Sequence, residues 1–233
     1  DLHSFPTRRS SDLDLNEANL DLHLHTVGER ASRTVLDGVE MAKKEMGDDL
    51  HVRVTCAHLE IECDDDLERF AKLGVFANFT PHWHSGDPAI AATWLGEERA
   101  RKQFRCKTVW DSGATVAWSS DNIVFMDFTT WNPYLGMEVG MTRWITEKTR
   151  DYPFTVAAKV FPPENERMNI EEMLIGYTIN GAKQLGIEAK KGSIEVGKDA
   201  DFLVFDNDLL TAEQQGFSYN KPTDVYFAGK KVN

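Results

Sequence analysis

Three polar residues stand where short apolar runs end: His25, His58 and Asp121. Two imidazoles and one carboxylate brought to a common rim can hold a borderline divalent metal such as Zn²⁺ while leaving a position open for water. A metal held that way acidifies water and so equips a site for hydrolysis. A single histidine at a strand end is more often structural, but three such groups at equivalent strand ends reverse that preference. A second pair, His82 and His84, lies in Pro81-His82-Trp83-His84. On an extended segment, period-two spacing puts both imidazoles on one face, within reach of substrate or metal. The same four residues also read as a solvated loop. Trp83 and Trp131, on predicted loops, are candidates to line an apolar substrate pocket. The other four tryptophans, Trp94 among them, are assigned to the core by default. His23 shares a strand face with His25 one pleat deeper, and His51 begins a strand at the opposite rim.

The elements that must carry these residues alternate. Residues 19–25 switch between apolar and polar, which reads as a strand. From Glu29 to Met46 the residues Ala31, Val35, Val39, Ala42 and Met46 recur at steps of three and four, the period of an amphipathic helix that Gly47 then closes. His51 to Ile61 reads as the next strand, and Asp64, Asp65 and Asp66 cap a short helix carrying Leu67, Phe70 and Leu73. Val75 to Phe79 forms a third strand. A helix follows from about Ala89, its second half Glu97 to Trp110 strongly charged, and Thr115 to Ser119 forms a fourth strand. Strand and helix in strict alternation with short connections is the pattern of parallel βα units, whose chemistry gathers at the C-terminal ends of the strands. Past Asp121 an irregular stretch, 122–133, precedes a helix from Gly136 to Glu147 and helical patterns over Ile170 to Asn180 and Gly181 to Leu185. The closing strands, Phe202 to Phe205 and Asp224 to Phe227, look antiparallel and belong to a small β domain from residue 191 onward.

Composition narrows the function. The 233 residues carry 26 Lys and Arg against 38 Asp and Glu, a net charge of -12, which leaves no basic stripe to neutralise a phosphate backbone and argues against a nucleic-acid partner. No apolar run approaches the roughly 18 residues of a membrane span. Cys56, Cys63 and Cys106 have neither paired spacing nor an even count, so they read as small buried apolar residues and not as a disulfide or thiolate-metal framework. Residues 1–13 have no strand or helix period, and His3-Ser4-Phe5-Pro6-Thr7-Arg8-Arg9-Ser10-Ser11-Asp12-Leu13 resembles the translation of a short-read sequencing adapter. The expectation is that this segment is foreign, that the natural N-terminus with any signal peptide is lost, and that the compartment stays open, with the cytoplasm favoured.

His25-Thr26-Val27-Gly28-Glu29-Arg30-Ala31 resembles the His-x-x-Gly-Asp-Arg-Ala segment of amidohydrolase family 3, the group that includes the N-substituted formamide deformylases. Ala57-His58 is similar to its Glu-His-Ala strand end, with Ala57 where the family commonly has Glu. Trp118-Ser119-Ser120-Asp121 resembles its Gly-Ser-Asp, and Tyr177 to Ala182 with Gly192 to Asp201 resembles its C-terminal signature. The resemblance implies an α/β fold: the C-terminal half of a (β/α)₈ TIM-type barrel, strands five to eight, over residues 14–190, and part of a small β-sandwich over 191–233. It implies that His25 and His58 bind metal, that Asp121 binds metal and takes a proton from the attacking water, and that the ions are one or two divalent cations, zinc foremost. The implied reaction is hydrolysis of an amide-type C–N bond in a small molecule. A complete barrel of this kind takes about 250 residues. The family's His-x-His on strand one and its strand-four Lys or acidic ligand have no counterpart here, so the chain as written is expected to be an inactive piece that self-associates through unpaired strand edges. Two alternatives remain. Asp21-Leu22-His23-Leu24-His25-Thr26 also resembles the opening strand of polymerase-and-histidinol-phosphatase-like metal phosphoesterases, and the chain also reads as a non-catalytic remnant.

Overall fold

The computed structural model describes residues 14–86, 88–121, 131–149 and 159–233. In chain order the elements are β1 (Leu22–Thr26), α1 (Glu29–Met46), β2 (Val54–His58), α2 (Arg69–Leu73), β3 (Phe76–Phe79), α3 (Pro88–Leu95), α4 (Glu97–Ala100), α5 (Cys106–Asp111), β4 (Val116–Trp118), α6 (Pro133–Thr142), α7 (Ile170–Ile175), α8 (Gly181–Gln184), β5 (Phe202–Val204), β6 (Asp224–Phe227) and β7 (Lys230–Lys231). β1 to β4 form one sheet in sequence order, with β1, β2 and β3 parallel. β5, β6 and β7 form a separate antiparallel sheet. The chain divides into two compact units, one running to Phe79 and including Lys102–Val116, the other comprising Thr80–Arg101 and Ala117–Asn233.

In the first unit β2 is buried along its whole length, as a central parallel strand covered on both faces must be. α1 starts and stops where its sequence signals lie: Glu29 occupies the first turn, Lys43 and Lys44 the last, and Gly47 takes a φ of 58° that favours glycine. Its buried stripe is Val35, Leu36, Val39 and Ala42, with Ser32 and Gly38 on the same face. Asp66, fully buried, anchors α1 to α2 by accepting from Arg33 Nε at 2.8 Å and from Arg69 Nη1 at 2.9 Å. Arg69 also pairs with Asp37 at 2.7 Å and Glu40 at 3.1 Å, which spreads the charge of this buried carboxylate over a network and not a single pair.

The long charged helix expected over Glu97 to Trp110 is instead broken. α4 ends at Ala100, Phe104 takes a φ of 53°, and the chain runs extended past Gln103, which bridges antiparallel to Ile61, before α5 begins at Cys106. A tertiary backbone pairing, Phe104 N–H to Glu60 O at 2.8 Å, outweighs the local helical preference of these charged residues. Cys56 and Cys106 are buried as expected, Cys63 is half-buried, and all three are free thiols.

In the second unit α6 begins three residues before the sequence pattern suggests, because Pro133 occupies the first turn and Asn132 Oδ1 caps it by accepting from Tyr134 N–H at 3.0 Å. It ends at Arg143, whose φ is 50° and whose buried guanidinium donates to the carbonyls of Phe161 at 3.1 Å and Pro162 at 3.0 Å. Glu138, buried within α6, accepts from Thr149 Oγ1 at 2.8 Å and from Ser218 N–H at 2.8 Å. α7 opens on a reciprocal cap between Asn169 and Glu172, and a wide turn over Gly176–Asn180 continues it into α8. Trp94, expected by default in the core or in helix packing, is 85% exposed on α3. In the closing sheet Phe202 stacks on Tyr226 with centroids 4.4 Å apart, the cross-strand pair that sets its register.

Gly176 is required by close approach: a Cβ there would lie 2.1 Å from Trp118 Nε1, the atom that donates to Glu172 O at 3.3 Å. Gly176→Ala should therefore cost about 2–3 kcal/mol despite alanine's better helix propensity. Urea denaturation reads this as a lower midpoint, and an unchanged midpoint would show that the indole has room to move.

Candidate metal-binding histidine pair

β1 and β2 run parallel in a register that sets His25 opposite Ala57 and Thr26 opposite His58. His58 closes β2 and is buried; His25, near the end of β1, is exposed. The two rings meet: His58 Nε2 lies 2.9 Å from His25 Nδ1, with centroids 4.5 Å apart. One of these nitrogens donates and the other accepts, so at least one lone pair points into the space between the rings. Two nitrogens bound to one tetrahedral zinc at about 2.0–2.1 Å stand roughly 3.3 Å apart, so a small opening of the pair admits the ion. The donors therefore fit a borderline cation, as a pair and not as a complete shell. Among the described residues, no group of three or more His, Cys, Asp and Glu side chains is gathered to hold a metal ion.

The backbone turns sharply to present His58. Its φ is 77° and that of Leu59 is 50°, two consecutive residues with side chains in the left-handed region, at a cost of order 1 kcal/mol each. Surrounding contacts hold the turn: Leu59 is fully buried, and Thr26 Oγ1, at the end of β1, donates to Ala57 O at 2.9 Å. Strain of this kind concentrates at functional sites.

Asp121 follows β4 in the second unit, half-buried, with a φ of 45°. His82 and His84 do not lie on an extended segment. Pro81–Trp83 form a tight helical turn, both imidazoles are buried, and the solvated-loop reading falls with them. His82 Nε2 is 3.3 Å from Asn132 O. Burial first, then the nearby Arg143 and His82, hold the His84 pKa well below the ordinary imidazole value, so His84 is neutral. Trp83 is half-buried and Trp131 is exposed. The irregular stretch read over 122–133 lies mostly outside the described residues.

Sequence reasoning passed over Glu62 and Ser32. Glu62 is only 4% exposed, and Ser32 Oγ is in hydrogen-bond contact with its Oε2. Glu60 and Glu62 alternate with apolar Leu59 and Ile61, a pattern that sends acids to solvent, so only the folded structure shows Glu62 turned inward.

The amidohydrolase family model matches residues 14–233. The chain belongs to amidohydrolase family 3. The chain is 30% identical over 194 residues to an N-substituted formamide deformylase from Arthrobacter pascens, an alignment covering 83% of this chain and 33% of the relative. A shorter stretch of 69 residues, 29% of the chain and 16% of the relative, is 46% identical to an imidazolonepropionase of Shewanella baltica. Its fold is similar to that of an uncharacterized metal-dependent hydrolase from Pyrococcus horikoshii, with a TM-score of 0.69 and 21% identity over 91% of this chain and 39% of the other. A second such hydrolase, from Pyrococcus furiosus, gives a TM-score of 0.62 and 25% identity over 82% of this chain and 35% of the other. The chain thus spans about a third of the formamide deformylase it matches. The match includes Gly192 to Asp201, the segment that the phosphoesterase reading leaves unexplained. No helix among the described residues is long and apolar enough to cross a membrane.

Proposed function

We propose that this amidohydrolase chain supplies half of a (β/α)₈ barrel, strands five to eight, and part of a small β-sandwich to an enzyme that hydrolyses an amide-type C–N bond in a small molecule. The observation that carries the reading is the His25–His58 contact at the ends of adjacent parallel strands. His25 and His58 would hold a divalent cation, zinc foremost, with Asp121 as a further ligand. When bound, the cation supplies Lewis-acid activation of water and substrate. Asp121 would accept a proton from the attacking water and pass it to the leaving amine. Trp83, Trp131, His82 and His84 belong to the substrate side of the site. The buried pair His82 and His84 acts there by shaping the wall, while exposed Trp131 offers apolar surface to the substrate.

The formamide deformylase likeness supports the bond type, and a family match that starts at residue 14 supports setting residues 1–13 aside as foreign. Sequencing the source DNA across the codons before Leu13 is the first step. Native codons there should continue a barrel and supply a His-x-His and a strand-four Lys or acidic residue. The extended protein, given zinc, should release amine from N-substituted formamides, and the 233-residue chain should not. Turnover by the 233-residue chain at the rate of the extended protein would overturn the half-barrel reading.

A further inference from the structure

Ser32 Oγ faces two acceptors. The carbonyl of Glu29 lies 3.1 Å away, and Glu62 Oε2 is also in hydrogen-bond contact. A hydroxyl has one proton, so it cannot serve both acceptors fully. Both contacts are satisfied together if the carboxyl brings a proton of its own: Glu62 Oε2–H donates to Ser32 Oγ, and Ser32 Oγ–H donates to the Glu29 carbonyl. The surroundings favour that arrangement. Glu62 and Ser32 are both buried, and Glu62 Oε1 has no hydrogen-bond partner among the described residues. Arg105, the cation whose charge bears on the carboxyl, gives its two terminal guanidinium nitrogens to Asp64 and to the main-chain carbonyl of Glu62, and its buried Nε has no hydrogen-bond partner among the described residues. The other groups that bear on the carboxyl are Glu29 on α1 and Asp66 on the short turn before α2, both acids.

We propose that Glu62 is a neutral carboxyl whose proton enters a chain through Ser32 to the Glu29 carbonyl, and that this chain ties the loop after His58 to the helix after His25. Glu62 is thereby a positioning residue for the histidine pair. Its protonation stands on the hydrogen-bond geometry and the burial of the carboxyl, while its bearing on catalysis rests on the hydrolase reading above. Burial, the leading cause, pushes its pKa up to about 8; contact with Ser32, the next-largest influence, and the charge of Arg105 oppose it, while the acids Asp66 and Glu29 add to it. The linkage has a definite sign. An acid whose folded pKa lies above its unfolded value binds more proton when folded, so stability falls as pH rises from the unfolded value of about 4.5 to about 8 and changes no further above it.

Infrared difference spectra of the wild-type chain against Glu62→Gln test this directly. A protonated-carboxyl band should be present in the wild type at neutral pH, absent from the variant, and lost above about pH 8. The Tm gap between the two should widen from about pH 5 to 8 and then stay constant. Only carboxylate bands at neutral pH would overturn the proposal and place an ionised Glu62 against Arg105. Imidazole ¹⁵N shifts of His25 and His58 read the positioning: unchanged in Glu62→Gln, whose amide still donates to Ser32, and displaced in Glu62→Met. Unmoved shifts in Glu62→Met would refute the positioning role. These readouts need neither metal nor turnover, so a failed formamide assay leaves them to be judged separately.

Discussion

Replacing His58 by alanine in the extended enzyme should abolish zinc binding and lower turnover by roughly 10³-fold or more, the equivalent of the several kcal/mol that a bound metal contributes to a hydrolytic transition state. His58 is the buried member of the pair, its ring fixed by the turn at Leu59 and by contact with His25. Removing it deletes one donor and the ring contact that orients exposed His25. Because a buried side chain is lost, Tm should fall as well, and the two effects separate cleanly: His58→Gln fills most of the volume, keeps a polar atom in place, and should recover stability without recovering zinc. Normal metal content in His58→Ala, measured on protein shown to be folded, would remove this residue from the site.

Asp121→Asn should leave zinc largely in place and still cost about 10²–10⁴-fold in turnover, the usual contribution of a general base. The choice of asparagine is dictated by the backbone. Asp121 has a φ of 45°, a conformation that Asn adopts more readily than most residues with a side chain, so the fold should be unmoved. The amide keeps an oxygen for a metal but has no basic carboxylate to accept a proton. Wild-type turnover in Asp121→Asn would assign the proton transfer to another group.

Much of the positioning scaffold is legible in the sequence because it depends on neighbours along the chain. α1 begins at Glu29 and ends at Met46 as its three- and four-residue spacing indicates, and β2 ends at His58 inside the wider strand expected from His51 to Ile61. What fails to show are features decided by residues distant in sequence. The break between α4 and α5 follows from the pairing of Gln103 with Ile61, and nothing in the charged run Glu97 to Arg105 announces it. His82 and His84 read as an accessible pair because period-two spacing presumes an extended backbone, whereas Pro81 starts a tight turn that buries both. Glu62 is the plainest case. Its neighbours mark it as a surface acid, and only the inward turn of the loop brings it to Ser32, thirty residues earlier on α1. The His25–His58 contact combines both kinds of information, with strand ends readable from pattern and their register supplied by the sheet.

Zinc stoichiometry of the extended enzyme, wild type beside the double variant His25→Ala/His58→Ala, tests the central claim most directly. At least one zinc per wild-type chain, with zinc and formamide hydrolysis lost together in the double variant, is the expected result. A double variant that keeps wild-type zinc and wild-type turnover would contradict it and place the catalytic metal, if there is one, away from this pair.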